Sequence, residues 1–126
     1  MAVPNLGKYK SPNKTIEIEI NSANPSNGTI QAEYENEFTP VGVLSVKGQL
    51  GEYRWVDNPG GGSGTAPFTI NFTASSRPAG RPYSITEIWN GYYTKKNTLL
   101  LTGTRGYVNK NGDVVSVGLG TVEFSQ

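Results

Sequence analysis

Residues 66–126 read APFTINFTASSRPAGRPYSITEIWNGYYTKKNTLLLTGTRGYVNKNGDVVSVGLGTVEFSQ. Phe68, Ile70 and Phe72 alternate with polar residues, and Ile85, Trp89 and Tyr93 are spaced around Glu87 and Gly91. Leu99 and Leu101 follow, and Val122 and Phe124 close the series. A period of two puts each set on one face of a pleated strand, so four successive strands can line a shared interior. Nothing in the stretch repeats with the period of a helix. Turn residues separate the strands, and Asn111-Gly112 is the sharpest hairpin signal. A sheet that keeps adding neighbours must cover its edges or close on itself.

The first half continues the pattern. Gly7 to Lys10 reads as a short strand ended by the turn formers Ser11, Pro12 and Asn13. In KTIEIEIN, residues 14–21, Ile16, Ile18 and Ile20 share one face and Glu17 and Glu19 the other, as in a half-wet antiparallel strand. Asn24 to Gly28 make a turn, and Thr29 to Glu35 returns with Ile30, Ala32 and Tyr34 facing in. Val43 to Val56 reads as a longer fourth strand in which Gly48 and Gly51 permit a bulge. DNPGGGSG, residues 57–64, reads as a surface loop, not a phosphate loop, since neither a lysine nor a helix follows the glycines. A seventh strand runs from Thr98 to Asn109 and an eighth from Asp113 to Ser125. The prediction is an all-β, eight-stranded antiparallel up-and-down β-barrel occupying residues 1–126 as a single domain. At that strand number the interior is just wide enough for one small ligand. Ile18, Ile30, Phe68, Ile70, Phe72, Trp89, Leu101 and Phe124 should lie inside. A β-sandwich uses similar strands but needs long crossovers, of which this chain has few.

Composition agrees with a thin-walled, turn-rich β structure: 35% of the 126 residues are hydrophobic, with Gly 16 and Pro 8. A net charge of +1, with acids and bases mixed, lacks the footprint of a nucleic-acid binder. The chain has no Cys and no His, which excludes cysteine nucleophiles, disulfides, Cys/His zinc sites and histidine bases. No spacing pairs two carboxylates and no nucleophile has an evident base, so no enzyme, metal or cofactor is expected. MAVPNLGKYK lacks the apolar run of a signal peptide, and no segment approaches the ~20 apolar residues of a membrane helix. The expectation is a soluble protein, with secretion and cytoplasmic residence both open.

Seven short pieces, in this order, resemble the avidin and streptavidin family: GKY (7–9), GTIQAEY (28–34), GEY (51–53), GSGTAPFTINF (62–72), IWNGYY (88–93), NTLLLTGT (97–104) and GLGTVEF (118–124). Their order and spacing carry the likeness over essentially the whole chain. The resemblance implies a barrel that holds a biotin-sized ligand at its open end and assembles as a homodimer or homotetramer. Carried over position by position, Tyr34 matches the tyrosine that donates to the ureido oxygen of biotin, and Trp89 matches an aromatic wall. Phe72 and Leu99 stand where the family has wall tryptophans, Val122 where it has an aspartate accepting a ureido N–H, and Ile85 where it has a serine. Glu87 takes the place of a threonine that contacts the thioether sulfur. Ser11 falls near the asparagine that contacts the ureido oxygen. The same register puts Thr15 at the usual serine, but alternation turns Thr15 outward and Lys14 to the rim. The tryptophan that the family lends to a neighbouring subunit aligns near Val114 and is absent.

An unpaired ligand N–H costs ~1–3 kcal/mol, and smaller wall side chains forfeit burial worth roughly 25 cal/mol per Å². The expected function is therefore a non-catalytic small-ligand-binding barrel in which biotin binding is weak or lost. The ligand-binding candidates are Ser11, Tyr34, Phe72, Ile85, Glu87, Trp89, Leu99 and Val122. The bland reading of Glu87 is a carboxylate satisfied by Lys14, Ser84 or a nearby hydroxyl; that of Trp89 and Tyr93 is core filling, with Gly91 relieving the crowding between them. Alternation places Val115, Val117, Leu119 and Thr121 on the outer face of the last strand, which suggests a subunit contact. The alternative function is glycan-binding (lectin-like), host-interaction or defence use of the loops, with Tyr53, Trp55, Asp57 and Asn58 as the sugar platform.

Overall fold

The computed structural model describes residues 3–36, 46–47, 51–54, 67–76 and 85–126. All regular structure among them is strand: β1 (Gly7–Lys10), β2 (Glu17–Asn24), β3 (Thr29–Glu35), β4 (Val46–Lys47), β5 (Gly51–Arg54), β6 (Phe68–Ser76), β7 (Ile85–Tyr93), β8 (Leu99–Val108) and β9 (Val114–Phe124). Every pairing between them is antiparallel. Long ladders build two sheets, β1-β2-β3 and β6-β7-β8-β9. Short pairings join them: β5 meets β3 at Thr29↔Glu52 and Ile30↔Gly51, and β6 at Tyr53↔Ile70 and Arg54↔Thr69. On the other side, Lys10 and Ser125 exchange backbone hydrogen bonds of 2.9 and 3.0 Å, so the segment after β9 touches the end of β1. The fourth strand read from Val43 to Val56 is seen as β4 and β5. Gly48, the Gly-rich segment and the proposed sugar platform residues Trp55, Asp57 and Asn58 lie outside the described residues.

Alternation built the core as the period of two requires. Ile18, Ile30, Phe68, Ile70, Phe72, Trp89, Leu101 and Phe124 are all buried. Outward residues pair in the complementary way, with Lys10 and Lys8 facing Glu17 and Glu19 at 3.9 and 3.8 Å; such exposed pairs contribute at most ~1 kcal/mol each. One end of the core is fastened by polar contacts. The Tyr9 hydroxyl donates to the Asn5 carbonyl at 2.6 Å, the Asn5 amide donates to the Tyr93 hydroxyl at 3.1 Å, and Tyr93 donates to Asn97 at 3.2 Å. Burial, then the neighbouring Tyr93 hydroxyl, pushes the Tyr9 phenol far above its usual range. Phe68 stacks on Tyr93 with ring centroids 4.9 Å apart.

Two bulges shift the register, and one corrects a sequence expectation. Between Ile20 and Ser22 the β2–β3 ladder slips, so that Ala23 falls opposite Ile30 and packs on the core. In β9 the slip lies between Gly118, opposite Thr104, and Gly120, opposite Gly103. Gly120 has φ +75, the left-handed conformation that begins a glycine bulge. An extra residue there reverses which face the rest of the strand presents. Val115 and Val117 therefore sit opposite Tyr107 and Arg105, with Val117 still exposed, and Leu119 packs against the core. Of the four residues expected outside, Val117 is exposed and Thr121 pairs outward, its hydroxyl 2.8 Å from that of Thr102. The apolar strip proposed as a subunit contact is thus not one continuous outer face.

Candidate functional site

Trp89 is where the interior becomes polar. It lies fully buried on β7 opposite Gly103 of β8, and a Cβ on that glycine would sit 2.5 Å from the indole ring. The missing side chain is what gives the ring its place. Gly91 does the same for backbone: a Cβ there would meet the Leu100 carbonyl at 2.0 Å, so it admits the neighbouring strand, not the rings of Trp89 and Tyr93. The indole meets Phe124 edge-to-face, with centroids 5.2 Å apart, and its Nε1 donates across the interior to the Tyr34 hydroxyl at 3.3 Å.

Two residues earlier on the same face, Glu87 is 1% exposed. Its Oε1 accepts from Arg105 Nε at 2.6 Å and from Asn36 Nδ2 at 2.8 Å. Arg105 is its direct neighbour across the β7–β8 ladder, and Asn36 extends the inward row of Ile30, Ala32 and Tyr34 just past β3. Glu87 Oε2 is buried and has no hydrogen-bond partner among the described residues. Desolvation by burial raises the Glu87 carboxyl above its ordinary value, while the Arg105 charge and hydrogen bond and the Trp89 indole lower it without cancelling the rise. A buried ion pair gains little net stability, but removing one member leaves a charge stranded.

A cavity of about 400 Å³ adjoins this group, within the range of small-ligand sites. Ser11, Asn13 and Ile16 line it from the β1–β2 turn, Leu119 and Val122 from β9, and Trp89 and Arg105 from β7 and β8. The turn is held by its own side chains. Asn13 Oδ1 accepts from Ser11 Oγ at 2.8 Å, from Thr15 Oγ1 at 2.8 Å and from the Thr15 amide at 3.2 Å, while Ser11 Oγ accepts from the Ile16 amide at 3.1 Å. Lys14, at φ 61, takes the left-handed conformation that the tight reversal demands.

Of the sequence candidates, Ser11, Trp89 and Val122 come together on the cavity. Tyr34 and Glu87 stand beside it through their bonds to Trp89 and Arg105. Phe72, Ile85 and Leu99 are buried and do not line it; Leu99 lies between Tyr93 and Phe124 in the ladders, toward the fastened end of the core. Ser11 is spent within its own turn. The partner of Glu87 is Arg105, not the exposed Lys14, and Ser84 lies outside the described residues. Sequence reasoning missed Arg105 and Asn36. Both were signalled by alternation, since Arg105 continues the row Leu99, Leu101, Gly103 and Asn36 continues the row Ile30, Ala32, Tyr34.

No family model, curated protein or solved structure matches the chain. Among the described residues no group of acidic side chains is arranged to hold a metal ion, and no helix is long and apolar enough to cross a membrane.

Proposed function

We propose that this chain is a non-catalytic small-ligand-binding protein, built as a closed eight-stranded antiparallel barrel of the avidin type, with biotin binding weak or lost. The observation that carries the reading is the cavity of about 400 Å³ bordered by Trp89 and Arg105, next to a buried polar group spanning the interior. Closure is supported by the sequential order of the strands and by the paired hydrogen bonds of Lys10 and Ser125. Weak biotin binding is supported by Val122, which lines the cavity and offers no acceptor, and by Ser11, whose hydroxyl is engaged at both ends.

Calorimetry with biotin on the wild type and on Val122→Asp tests this. The wild type should bind no tighter than micromolar, and the added carboxylate should strengthen binding. Nanomolar affinity in the wild type would overturn the altered-pocket reading. No gain in a folded Val122→Asp would remove biotin-like ligands from it. Leu99→Trp is not a useful companion, because Leu99 is fully buried against Phe124 and a larger ring would overpack the core.

A further inference from the structure

β9 is an edge strand for most of its length. It pairs with β8 from Val114 to Phe124, and on its other side the backbone hydrogen bonds to the β1–β2 segment are the two between Lys10 and Ser125. Past that pair β1 turns away, because the reversal after Lys10 uses its own backbone. The Ser11 amide donates to the Ile16 carbonyl at 2.9 Å, the Lys14 amide donates to the Ser11 carbonyl at 2.8 Å, and Pro12 has no N–H to give. Strand geometry fixes which groups of β9 are left over, since alternate residues point their N–H and C=O to the same edge. Ser125 bonds to Lys10 through both groups, so Glu123 and Thr121 present theirs on that edge, while Phe124 and Val122 present theirs to β8. Among the described residues no backbone partner meets Glu123 or Thr121 there.

The cavity fills the space that β1 vacates. The β1–β2 turn is one wall, Thr121 and Glu123 belong to the other, and Ile16, Leu119 and Val122, half-buried against the core, make an apolar floor. Resting on the reading of this cavity as a ligand site, we propose that its ligand is the main chain of an extended peptide, added antiparallel to β9 as a short strand. The guest continues the ladder that Lys10 and Ser125 begin, and it meets the N–H and C=O of Glu123 and Thr121. Its residues opposite those two turn their side chains outward, as Lys10 does, and the residue between them rests an apolar side chain on the floor. The bulge at Gly120 ends the ladder on the far side. The turn opposite admits one extended chain and excludes the edge of another sheet, which brings its own neighbouring strand.

The test is an NMR titration of the isotope-labelled full chain with a blocked pentapeptide of alternating threonine and valine. The amide signals of Thr121 and Glu123 should move and saturate at millimolar peptide. The same peptide N-methylated at its threonines loses the donors that face β9 when its valines face the floor, and should bind at least ~10-fold more weakly. Glu123→Pro removes a donor from the open edge and leaves the β8 ladder intact, so it should cost a similar factor. Glu123→Ala, which keeps the N–H, should bind as the wild type does. Silence of the two amide signals overturns the proposal, as does equal binding of the methylated peptide. So does a folded Glu123→Pro that binds like the wild type, or a Glu123→Ala that loses as much. Should Glu123→Pro fail to fold, the methylated peptide decides. A silent peptide beside a biotin gain in Val122→Asp refutes the guest strand and leaves the ligand site standing; silence of both removes the site as well.

Discussion

Gly103 shows how much one absent side chain can determine. Its φ is ordinary, yet a methyl group there would stand 2.5 to 2.7 Å from three atoms of the Trp89 ring. Gly103→Ala should therefore cost ~1–3 kcal/mol by overpacking and weaken the Trp89 to Tyr34 hydrogen bond. Urea denaturation measures the first effect and near-ultraviolet dichroism the second; a stability within ~0.5 kcal/mol of wild type with unchanged dichroism would refute it. Glu87 yields a pH prediction. Its folded carboxyl is raised above the ordinary value of 4.5, so between that value and its folded one the native state holds the proton more tightly than the unfolded chain does. Its contribution to stability is fully present below pH 4.5 and is lost as the pH rises through the folded value. The stability of wild type minus that of Glu87→Gln should accordingly fall with rising pH across that window, and a flat or rising difference would contradict it.

At the scale of the element, the bulge in β9 matters more than any of its side chains. A methyl group on Gly120 would meet nothing within 4 Å, so the constraint at that position is the φ of +75 alone. Gly120→Ala should cost ~1–2 kcal/mol from the left-handed backbone, and Gly120→Asn less, because asparagine tolerates that region. Chemical denaturation of the two variants checks the order. If both match the wild type, the strand runs without the bulge, and Leu119 regains the outward placement that plain alternation assigns it. The same slip explains why an outer apolar strip was legible in the sequence and is not continuous in the structure: alternation counts residues, and one extra residue inverts the count. The β1–β2 turn is the opposite case, since its turn residues were visible in the sequence, and Asn13 gathers three donors within two residues on either side.

For the whole molecule, closure is tested at the seam between β1 and the segment after β9. In a closed barrel, the amides of Lys10 and Ser125, bonded to each other's carbonyls at 2.9 and 3.0 Å, join the cooperative unit. They should exchange their hydrogens as slowly as ladder amides of β7 and β8. Exchange at the rate of free peptide would instead describe two sheets in contact along β5 only. Self-association belongs to the same scale, and light scattering near 13.6 kDa at high micromolar concentration would rule it out. With Leu119 turned into the core, the outward apolar residues left for such a contact include Ile88 and the facing pair Tyr92 and Leu100.

Residue order alone gave the class of fold, the last two strands nearly to their ends, and the inward face of β6, β7 and β8. It did so because a period of two is local: each residue's side depends on its neighbours along the chain. Tyr34, Glu87 and Trp89 were legible as inward residues for that reason, and Arg105 and Asn36 could have been read in the same rows. Which of these side chains meet was not local. Glu87 finds Arg105 through the β7–β8 register and Asn36 from across the interior, and Leu99 is carried away from the cavity although it shares a face with Arg105. Those meetings come from the folded arrangement, because they depend on how far each strand slides along its neighbour and on where a bulge adds a residue, quantities set by the pairing of distant segments.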